Sequence, residues 1–206
     1  MARIADSATA SSFTVAARPG VILRDAATVL RAPLIKNEPV KGALMYHVVS
    51  ITDMNDFGFL ITPKKTIKIK EKLPKARKYE LEPFDVLLTI VGTIGKITIL
   101  PDALEGQWIP ASNMLIVRFT KDKLDNAIAF VMFMKSRYGV DILTKLTHGT
   151  TIPIVSKKAF SRVVIPQLTP EVKKESKELF TKEERLYLKR QELEVAAQQL
   201  RGEYLA

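Results

Sequence analysis

The chain of 206 residues contains no cysteine and only two histidines, His47 and His148. Without cysteine there can be no disulfide, thiolate metal site or cysteine nucleophile, which fits a protein kept in a reducing compartment. Two imidazoles also leave little material for a histidine-based metal centre or a catalytic triad. The composition therefore disfavours enzymes that work through thiols or histidines.

Long apolar runs are missing as well. No stretch approaches the roughly 20 apolar residues that a membrane-spanning helix requires. Residues 1–20 are rich in small polar side chains and lack the continuous apolar core of a secretory signal. We interpret them as a flexible leader and expect a cytoplasmic location.

The motifs of methyltransferases and nucleases are also lacking. The chain has neither an Asn-Pro-Pro-aromatic motif nor a glycine-rich cofactor loop. Pro101-Asp102, with Glu105 and Gln107, faintly resembles a set of nuclease carboxylates, but proline and aspartate also form ordinary turns. We therefore predict no catalytic residue and no metal site.

The segment from Gly92 to Lys96, GTIGK, is not a nucleotide-binding loop. That loop needs four residues between its glycines and a Ser or Thr after the lysine, where Ile97 stands here. Two interpretations remain open: a plain hairpin turn, or a turn whose glycines let the backbone approach a ligand beside a lysine cation.

Acidic side chains are too few to balance the basic ones. The chain has 32 Lys and Arg against 22 Asp and Glu, a formal net charge of +10. Residues 170–206 carry eight of each sign, so the whole excess lies in residues 1–169. An excess of this kind favours a polyanionic partner, because Lys and Arg bind phosphates with release of counterions.

The excess is densest between residues 64 and 78, where a single acid, Glu71, stands among eight cations. Phosphate contact is one interpretation of this basic segment. The other is a solvated edge strand that uses lysines against aggregation. The eight cations are Lys64, Lys65, Lys68, Lys70, Lys72, Lys75, Arg77 and Lys78.

Residue periodicity predicts one α+β domain at residues 21–169. Ile67 and Ile69 alternate with polar residues, as in a strand with one buried and one basic face. A helix is expected from Asp125 to Tyr138, ending at Gly139, with a second short helix up to Leu146. The remaining predicted features are a loop at 32–42, a short strand after Asp53, a cap at Ser156 and strands at 44–51, 85–91, 96–100, 114–119 and 161–165.

Residues 170–206 have a different pattern, with an apolar residue at every seventh position. That spacing predicts a coiled-coil seam on a helix about 50 Å long. The companion positions are weak, because charged residues stand at several of them, and a helix packed on its own domain is the alternative. The seam positions are Val172, Leu179, Leu186, Leu193 and Leu200.

Five short blocks, taken in order, resemble one protein family. From Val21 to the C-terminus, the chain is similar to the DNA specificity subunit of type I restriction-modification systems. The blocks are DVLLT from Asp85, GTIGK from Gly92, IPASN from Ile109, GTTIP from Gly149 with the following Ser156-Lys-Lys, and VIP from Val164, ahead of the long helix.

Members of that family carry two target recognition domains, each followed by a long helix, and the two helices pack antiparallel as a spacer. This chain has one such unit. The resemblance therefore implies a half-subunit, or a natural or recombinant truncation, that forms a homodimer through its helix. A two-fold pair of domains would read two half-sites of an interrupted palindrome in double-stranded DNA.

The resemblance implies no catalysis in this chain. Methylation and cleavage would belong to a methyltransferase (modification) subunit and, through it, a restriction subunit, which would bind S-adenosylmethionine and ATP. An adaptor or inhibitor of a restriction complex, with only non-specific DNA binding, is the second hypothesis. Besides the basic segment, the expected DNA contacts are Thr93, Lys96, Ser112, Asn113, Lys157 and Lys158.

Overall fold

The computed structural model has nine strands and five helices in the part of the chain that it describes, arranged in layers. The described residues are 19–31, 33–38, 40–55, 58–60, 62–69 and 77–204. The strands are β1 (Gly20–Ile22), β2 (Thr28–Arg31), β3 (Leu44–Val49), β4 (Thr66–Ile69), β5 (Val86–Thr89), β6 (Ile97–Ile99), β7 (Gln107–Pro110), β8 (Met114–Arg118) and β9 (Val164–Pro166). The helices are α1 (Leu23–Ala26), α2 (Lys123–Lys135), α3 (Arg137–Leu146), α4 (Lys157–Phe160) and α5 (Pro170–Tyr204).

An antiparallel sheet of order β2-β8-β5-β6 forms the centre of the molecule. β5 is buried along its whole length, because apolar layers cover both faces of the sheet. On one face, Val86 and Leu88 pack with Phe130 of α2 and Phe160 of α4. On the other face, Leu87 packs with residues of a second sheet. A nearly continuous β-prone run is the expected sequence of such a doubly covered strand.

The second sheet has the order β4-β3-β7, with β3 antiparallel to β4 and parallel to β7. Ile67 and Ile69 of β4 are buried while Lys68 is exposed, as the alternation predicts. The outer edge of β4 is not left open. The Lys68 backbone N–H donates to Asn37 Oδ1, and its carbonyl accepts from the Glu38 N–H, each at 2.8 Å. These bonds protect the edge from strand addition.

One helix boundary differs from the sequence prediction. The sequence predicts a helix that ends at Gly139, but the break lies at Ser136 and Gly139 lies inside α3. A Cβ on Gly139 would stand 2.3 Å from the carbonyl oxygen of Met134. Glycine is therefore present at this position because two consecutive helices pass close to each other, and not because a helix stops there.

Helix α5 is 35 residues long and begins at Pro170, the first helical position that proline favours. Its first half packs on the domain and chiefly on α2. Val172 and Ser176 are buried, and Lys177 pairs with Asp125 of α2 at 2.7 Å. The Phe59 ring lies 5.5 Å from that of Phe180 and 4.9 Å from that of Tyr187. Beyond Tyr187 the described side chains are almost all exposed, so the helix projects from the domain.

Other predictions are confirmed or corrected by the structure. The β5–β6 hairpin and the loop around residues 33–38 and 40–43 are as expected, and Ser156 Oγ accepts from the Ala159 N–H. A 3₁₀ turn spans Ile51–Asp53, and an isolated bridge joins Met54 and Leu60 where a short strand was predicted. Residues 56, 57 and 61 of that stretch lie outside the described residues. The last predicted strand starts at Val164, and β7 was not predicted. Gly20, assigned to the leader, pairs with Pro166.

Candidate nucleic-acid interface

The ends of the second sheet bring polar loops together. The Val48 N–H donates to the Lys65 carbonyl, and the Ala111 N–H donates to the Val49 carbonyl, each at 2.8 Å. Lys65 and Ala111 therefore flank the same end of β3. With strands about 4.8 Å apart, their Cα atoms are separated by roughly 10 Å. Lys64, Lys65, Ser112 and Asn113 consequently lie at one end of this sheet.

The glycine loop joins the same edge. The Ile90 N–H donates to the Asn113 carbonyl at 2.8 Å, and the Gly92 N–H donates to the Pro153 carbonyl at 3.0 Å. Gly92 has a φ of 77°, and a Cβ there would meet no atom within 4 Å, so the loop is open on its outer side. We call residues 62–65, 90–95, 111–113 and 150–153 the loop edge.

Five of the predicted contact residues meet at the loop edge. Lys64, Lys65 and Thr93 are exposed there, and Ser112 and Asn113 are partly exposed. Cationic ammonium groups next to hydroxyl and amide groups can bind phosphate and offer hydrogen bonds to base edges. This juxtaposition cannot be read from the sequence, because 47 residues separate Lys65 from Ser112.

Lys96 points inward. Its ammonium group donates to the carbonyl oxygen of Met54 at 3.3 Å, and the residue is only partly exposed. Its backbone N–H donates to Thr89 Oγ1 at 3.0 Å, which closes the hairpin. The contacts of Lys96 therefore hold the glycine loop against the 3₁₀ turn, and its role as a DNA contact stays a prediction.

The described cations of the basic segment lie in different places. Lys68 is exposed on β4, opposite Met45 and further from the loop edge than Lys65. Arg77 and Lys78 are exposed beside Tyr79, on a separate part of the chain. Of the described cations in this segment, only Lys64 and Lys65 stand at the loop edge. The remaining predicted contacts Lys70 and Lys75, together with Lys72, lie outside the described residues.

A buried ion cluster fixes the backbone that follows the basic segment. Arg118 donates to both carboxylate oxygens of Asp85, at 2.8 and 2.7 Å, and to the Glu80 carbonyl at 2.7 Å. Its third nitrogen lies 2.6 Å from a Glu82 carboxylate oxygen. Burial raises the pKa of the Asp85 carboxyl, while the Arg118 hydrogen bonds oppose that rise. The cluster joins β8 to the loop before β5.

Tyr46 extends the cluster to the second sheet. Its hydroxyl donates to Glu80 Oε1 at 2.5 Å, and the residue is 2% exposed. Burial, together with this hydrogen bond to a carboxylate, raises the pKa of Tyr46 to about 12. The contact holds β3 against residues 80–85, so the end of β3 that carries the loop edge has a fixed position.

Lys157 and Lys158 are exposed on α4, one turn beyond the loop edge. The fold brings two further exposed cations to them, Arg24 from α1 and Arg162 from the turn after α4. The sequence gives no signal for Arg24, because it is a single cation in an ordinary segment more than 130 residues before Lys157. Arg162 could have been found from the sequence, since it follows Lys158 by only four residues.

The predicted seam divides into two parts. Val172 is 4% exposed and lies against its own domain, and Leu179 is partly exposed. Leu186, Leu193 and Leu200 are 61%, 63% and 67% exposed on the projecting half of the helix. These three leucines are spaced by seven residues on one face and remain available for a partner helix.

The described part of the chain brings no metal-ligating side chains together. No three His, Asp or Glu side chains among residues 19–31, 33–38, 40–55, 58–60, 62–69 and 77–204 stand close enough to hold a metal. His47 packs beside Trp108, with ring centroids 6.1 Å apart.

No helix of the described residues has the length and apolarity to cross a membrane.

The fold is similar to solved structures of type I restriction-modification systems, although no protein-family model and no curated protein matches the sequence. One is the S subunit from M. genitalium, with TM-score 0.56 and 12% identity over 86% of this chain and 42% of that chain. Another is the HsdS subunit from Thermoanaerobacter tengcongensis, with TM-score 0.52 and 17% identity over 85% and 43%.

A third structure comes from work on complex assembly and conformational transition of the type I R-M system. It has TM-score 0.52 and 14% identity over 86% of this chain and 40% of that chain. The chain thus spans about two fifths of the length of these proteins. Its domain and long helix have the S-subunit fold, as the sequence resemblance implied.

Proposed function

We propose that this protein is a non-catalytic, sequence-specific DNA-binding subunit of a type I restriction-modification system. Each chain reads one half-site, and two chains pair through α5 to recognise a bipartite target. The pair directs methyltransferase and restriction subunits to that target. S-adenosylmethionine and ATP bind to those partners.

The observation that carries this proposal is the convergence of cations and hydrogen-bonding groups at one edge of an S-subunit fold. The Cα atom of Lys65 lies roughly 10 Å from that of Ala111, which leads into the turn that holds Ser112 and Asn113, and Lys64 is the next residue along the chain from Lys65. Backbone hydrogen bonds fix that turn against the glycine loop with Thr93. An edge of this kind positions phosphates beside groups that can contact bases.

Side-chain chemistry assigns phosphate contact and base contact to different residues of the loop edge. Lys64 and Lys65 neutralise phosphates and set the orientation of the domain, which carries little sequence information. Thr93, Ser112 and Asn113 offer hydroxyl and amide groups, of which asparagine can pair bidentately with adenine. Lys96 and the Arg118 cluster hold the loops in place.

The exposed face of the long helix supports the homodimer. Leu186, Leu193 and Leu200 leave an apolar stripe exposed on the projecting half of α5. Burying that stripe against a second copy would remove it from water and fix the distance between two domains.

Binding to duplex DNA over a range of salt concentrations tests the proposal. The account expects affinity to fall steeply as salt rises, because phosphate contacts release counterions. It also expects one bipartite duplex to keep a preference of about 10³-fold or more over a scrambled duplex of equal length. Equal affinity for both duplexes at physiological salt would contradict sequence-specific recognition.

The exposed stripe on α5 also suits a second candidate function, that of an adaptor that binds a restriction complex through its helix. An adaptor would capture a methyltransferase subunit in a pull-down while showing no preference between duplexes. The same salt titration separates the two candidates, because an adaptor binds the bipartite and scrambled duplexes alike.

A further inference from the structure

We propose that Arg24, Lys157, Lys158 and Arg162 form a second phosphate-binding surface, which grips the DNA backbone beside the loop edge. We call these four residues the α4 patch. This inference rests on the proposed function, since it assigns a DNA contact to residues outside the loop edge.

The backbone holds the α4 patch rigidly. The Arg24 N–H donates to the Ser161 carbonyl at 3.0 Å, which ties α1 to the turn after α4. The Ser161 N–H donates to the Lys157 carbonyl at 2.9 Å. Phe160 is fully buried and anchors α4 in the core. Two segments far apart in sequence, α1 and α4 with the turn that follows it, therefore present their cations from fixed positions.

The charge of the α4 patch is almost uncompensated. Within the described residues, Arg24 has one acidic neighbour, Asp25 at 3.6 Å, with both side chains more than half exposed. No ion pair to a described residue is found for Lys157, Lys158 or Arg162. Other cations of the domain are paired, as Arg118 is with Asp85 and Lys173 with Asp122.

The spacing of these cations adds repulsion that a bound anion would relieve. Lys158 and Arg162 stand four positions apart, and the Arg162 N–H donates to the Ala159 carbonyl at 3.1 Å in a continuing helical turn. Like charges four residues apart on a turn repel each other. A phosphate between them would turn this repulsion into charge-assisted hydrogen bonds, and two of the four cations are arginines that can bind phosphate with two nitrogens.

The α4 patch lies next to the loop edge. The Val155 N–H donates to the Ile90 carbonyl at 2.9 Å, and Lys157 follows two residues later. Two residues of chain reach at most about 7 Å, so Lys157 lies within roughly 12 Å of Ile90 between Cα atoms. On its other side, Ile90 donates its N–H to the Asn113 carbonyl. Asn113 belongs to the turn at the sheet end where Lys64 and Lys65 lie. Cations thus occupy both sides of the polar loops.

The two groups of cations lie within about one helical turn of a duplex. Summing the backbone steps, the Cα atoms of Lys65 and Lys157 are separated by at most roughly 35 Å. One helical turn of DNA is about 34 Å long. Two cationic sites within one turn can therefore contact the phosphates on either side of the bases that the loop edge faces.

The test is the salt dependence of DNA affinity for the variant Arg24→Gln/Lys157→Gln/Lys158→Gln/Arg162→Gln. Each lost phosphate contact lowers the slope of log affinity against log salt by about 0.9. We expect the slope to fall by about 2 to 4, with a matching loss of affinity at low salt. The preference for the bipartite duplex over the scrambled duplex should stay unchanged, because phosphate contacts carry no sequence information.

A matched control removes exposed cations on the first half of α5. Lys174→Gln/Lys182→Gln changes the charge by two, and so does Lys157→Gln/Lys158→Gln, which keeps both arginines. The α4 pair should lower the slope by about 1 to 2, and the α5 pair by clearly less. Lys157→Arg/Lys158→Arg should restore the wild-type slope, which a purely structural defect would not allow. Circular dichroism confirms that each variant is folded.

The inference would be overturned if Lys157→Gln/Lys158→Gln and Lys174→Gln/Lys182→Gln gave equal slopes of log affinity against log salt. The proposed function would still stand after that result. A variant that keeps the wild-type slope but loses the preference between duplexes would also overturn the inference, since that result means base reading. If the wild-type protein binds no duplex at all, the proposed function and this inference both fall.

Discussion

Arg118 is the residue on which the position of the loop before β5 depends most. It donates two hydrogen bonds to Asp85, which is 1% exposed, and is itself only 17% exposed in its side chain. Breaking a buried ion pair by removing one partner costs about 3 to 5 kcal/mol, because the other charge stays buried without a counterion. We expect Arg118→Met to lose about this much in urea unfolding at pH 7.5.

The loss of unfolding free energy in Arg118→Met should become smaller as pH falls. Burial raises the pKa of Asp85, and without Arg118 that pKa rises further, so the folded variant takes up a proton at a higher pH than the unfolded chain does. Its stability therefore improves relative to wild type as pH falls. Lys123→Met is the control, since the exposed Lys123–Glu82 pair should contribute at most about 1 kcal/mol. Equal losses for both variants would contradict a buried Arg118 cluster.

Tyr46 makes stability depend on alkaline pH. Its pKa of about 12 in the folded protein lies above the value of about 10 that an unfolded tyrosine has. The stabilisation that the Tyr46 hydroxyl gives to the folded protein is complete below pH 10. It is lost as pH rises towards 12, because the unfolded chain releases the hydroxyl proton at a lower pH than the folded protein does. The difference in unfolding free energy between wild type and Tyr46→Phe should therefore narrow from pH 9 to pH 11. A constant difference would show that Tyr46 ionises normally.

At the level of elements, periodicity predicted β4, the β5–β6 hairpin and α5 because each is a local pattern of buried and exposed positions. It did not predict β7, since Trp108, Ile109 and Pro110 are buried on a short strand with no alternation. The partner of β7 is β3, about 60 residues earlier, and nothing local encodes that parallel pairing. The boundary at Gly139 was misplaced because close packing and helix termination both select glycine.

The loop edge also could not be predicted from local sequence patterns. Charge density along the sequence groups Lys64 with Arg77 and Lys78, but of the described cations in that segment only Lys64 and Lys65 lie at the sheet end that holds Ser112 and Asn113. Lys96 lies in the loop that sequence indicated, yet its side chain turns to the Met54 carbonyl. A sequence states which side chains are near in the chain, whereas a binding surface depends on which loops share a sheet end.

The projecting half of α5 carries the predicted dimer interface. Leu186→Asp places a carboxylate in the centre of an apolar seam, and we expect the mass measured by light scattering to fall from two chains to one. Leu188 is also exposed, at 51%, but lies on a different face of the helix. Leu188→Asp is therefore the matched control and should leave the mass at two chains. An unchanged mass for Leu186→Asp would place the dimer contact elsewhere.

At the level of the whole molecule, charge and shape are divided between two parts. Residues 1–169 carry the entire net charge, while residues 170–206 have eight basic and eight acidic side chains. The basic part therefore suits a polyanion, and the balanced helix suits contact with protein. The first half of α5 packs on the domain and joins the two parts, so the helix would fix where the domain stands in the proposed dimer.

The most direct test of this account is selection of bound fragments from random duplex DNA by the purified protein. Two copies related by a two-fold axis read the same half-site twice in opposite orientation. The account predicts recovered fragments that share an inverted repeat with one fixed spacing, and the repeat should be absent from fragments selected by Leu186→Asp. Recovered fragments with no common sequence would contradict specific bipartite recognition by a pair of these chains.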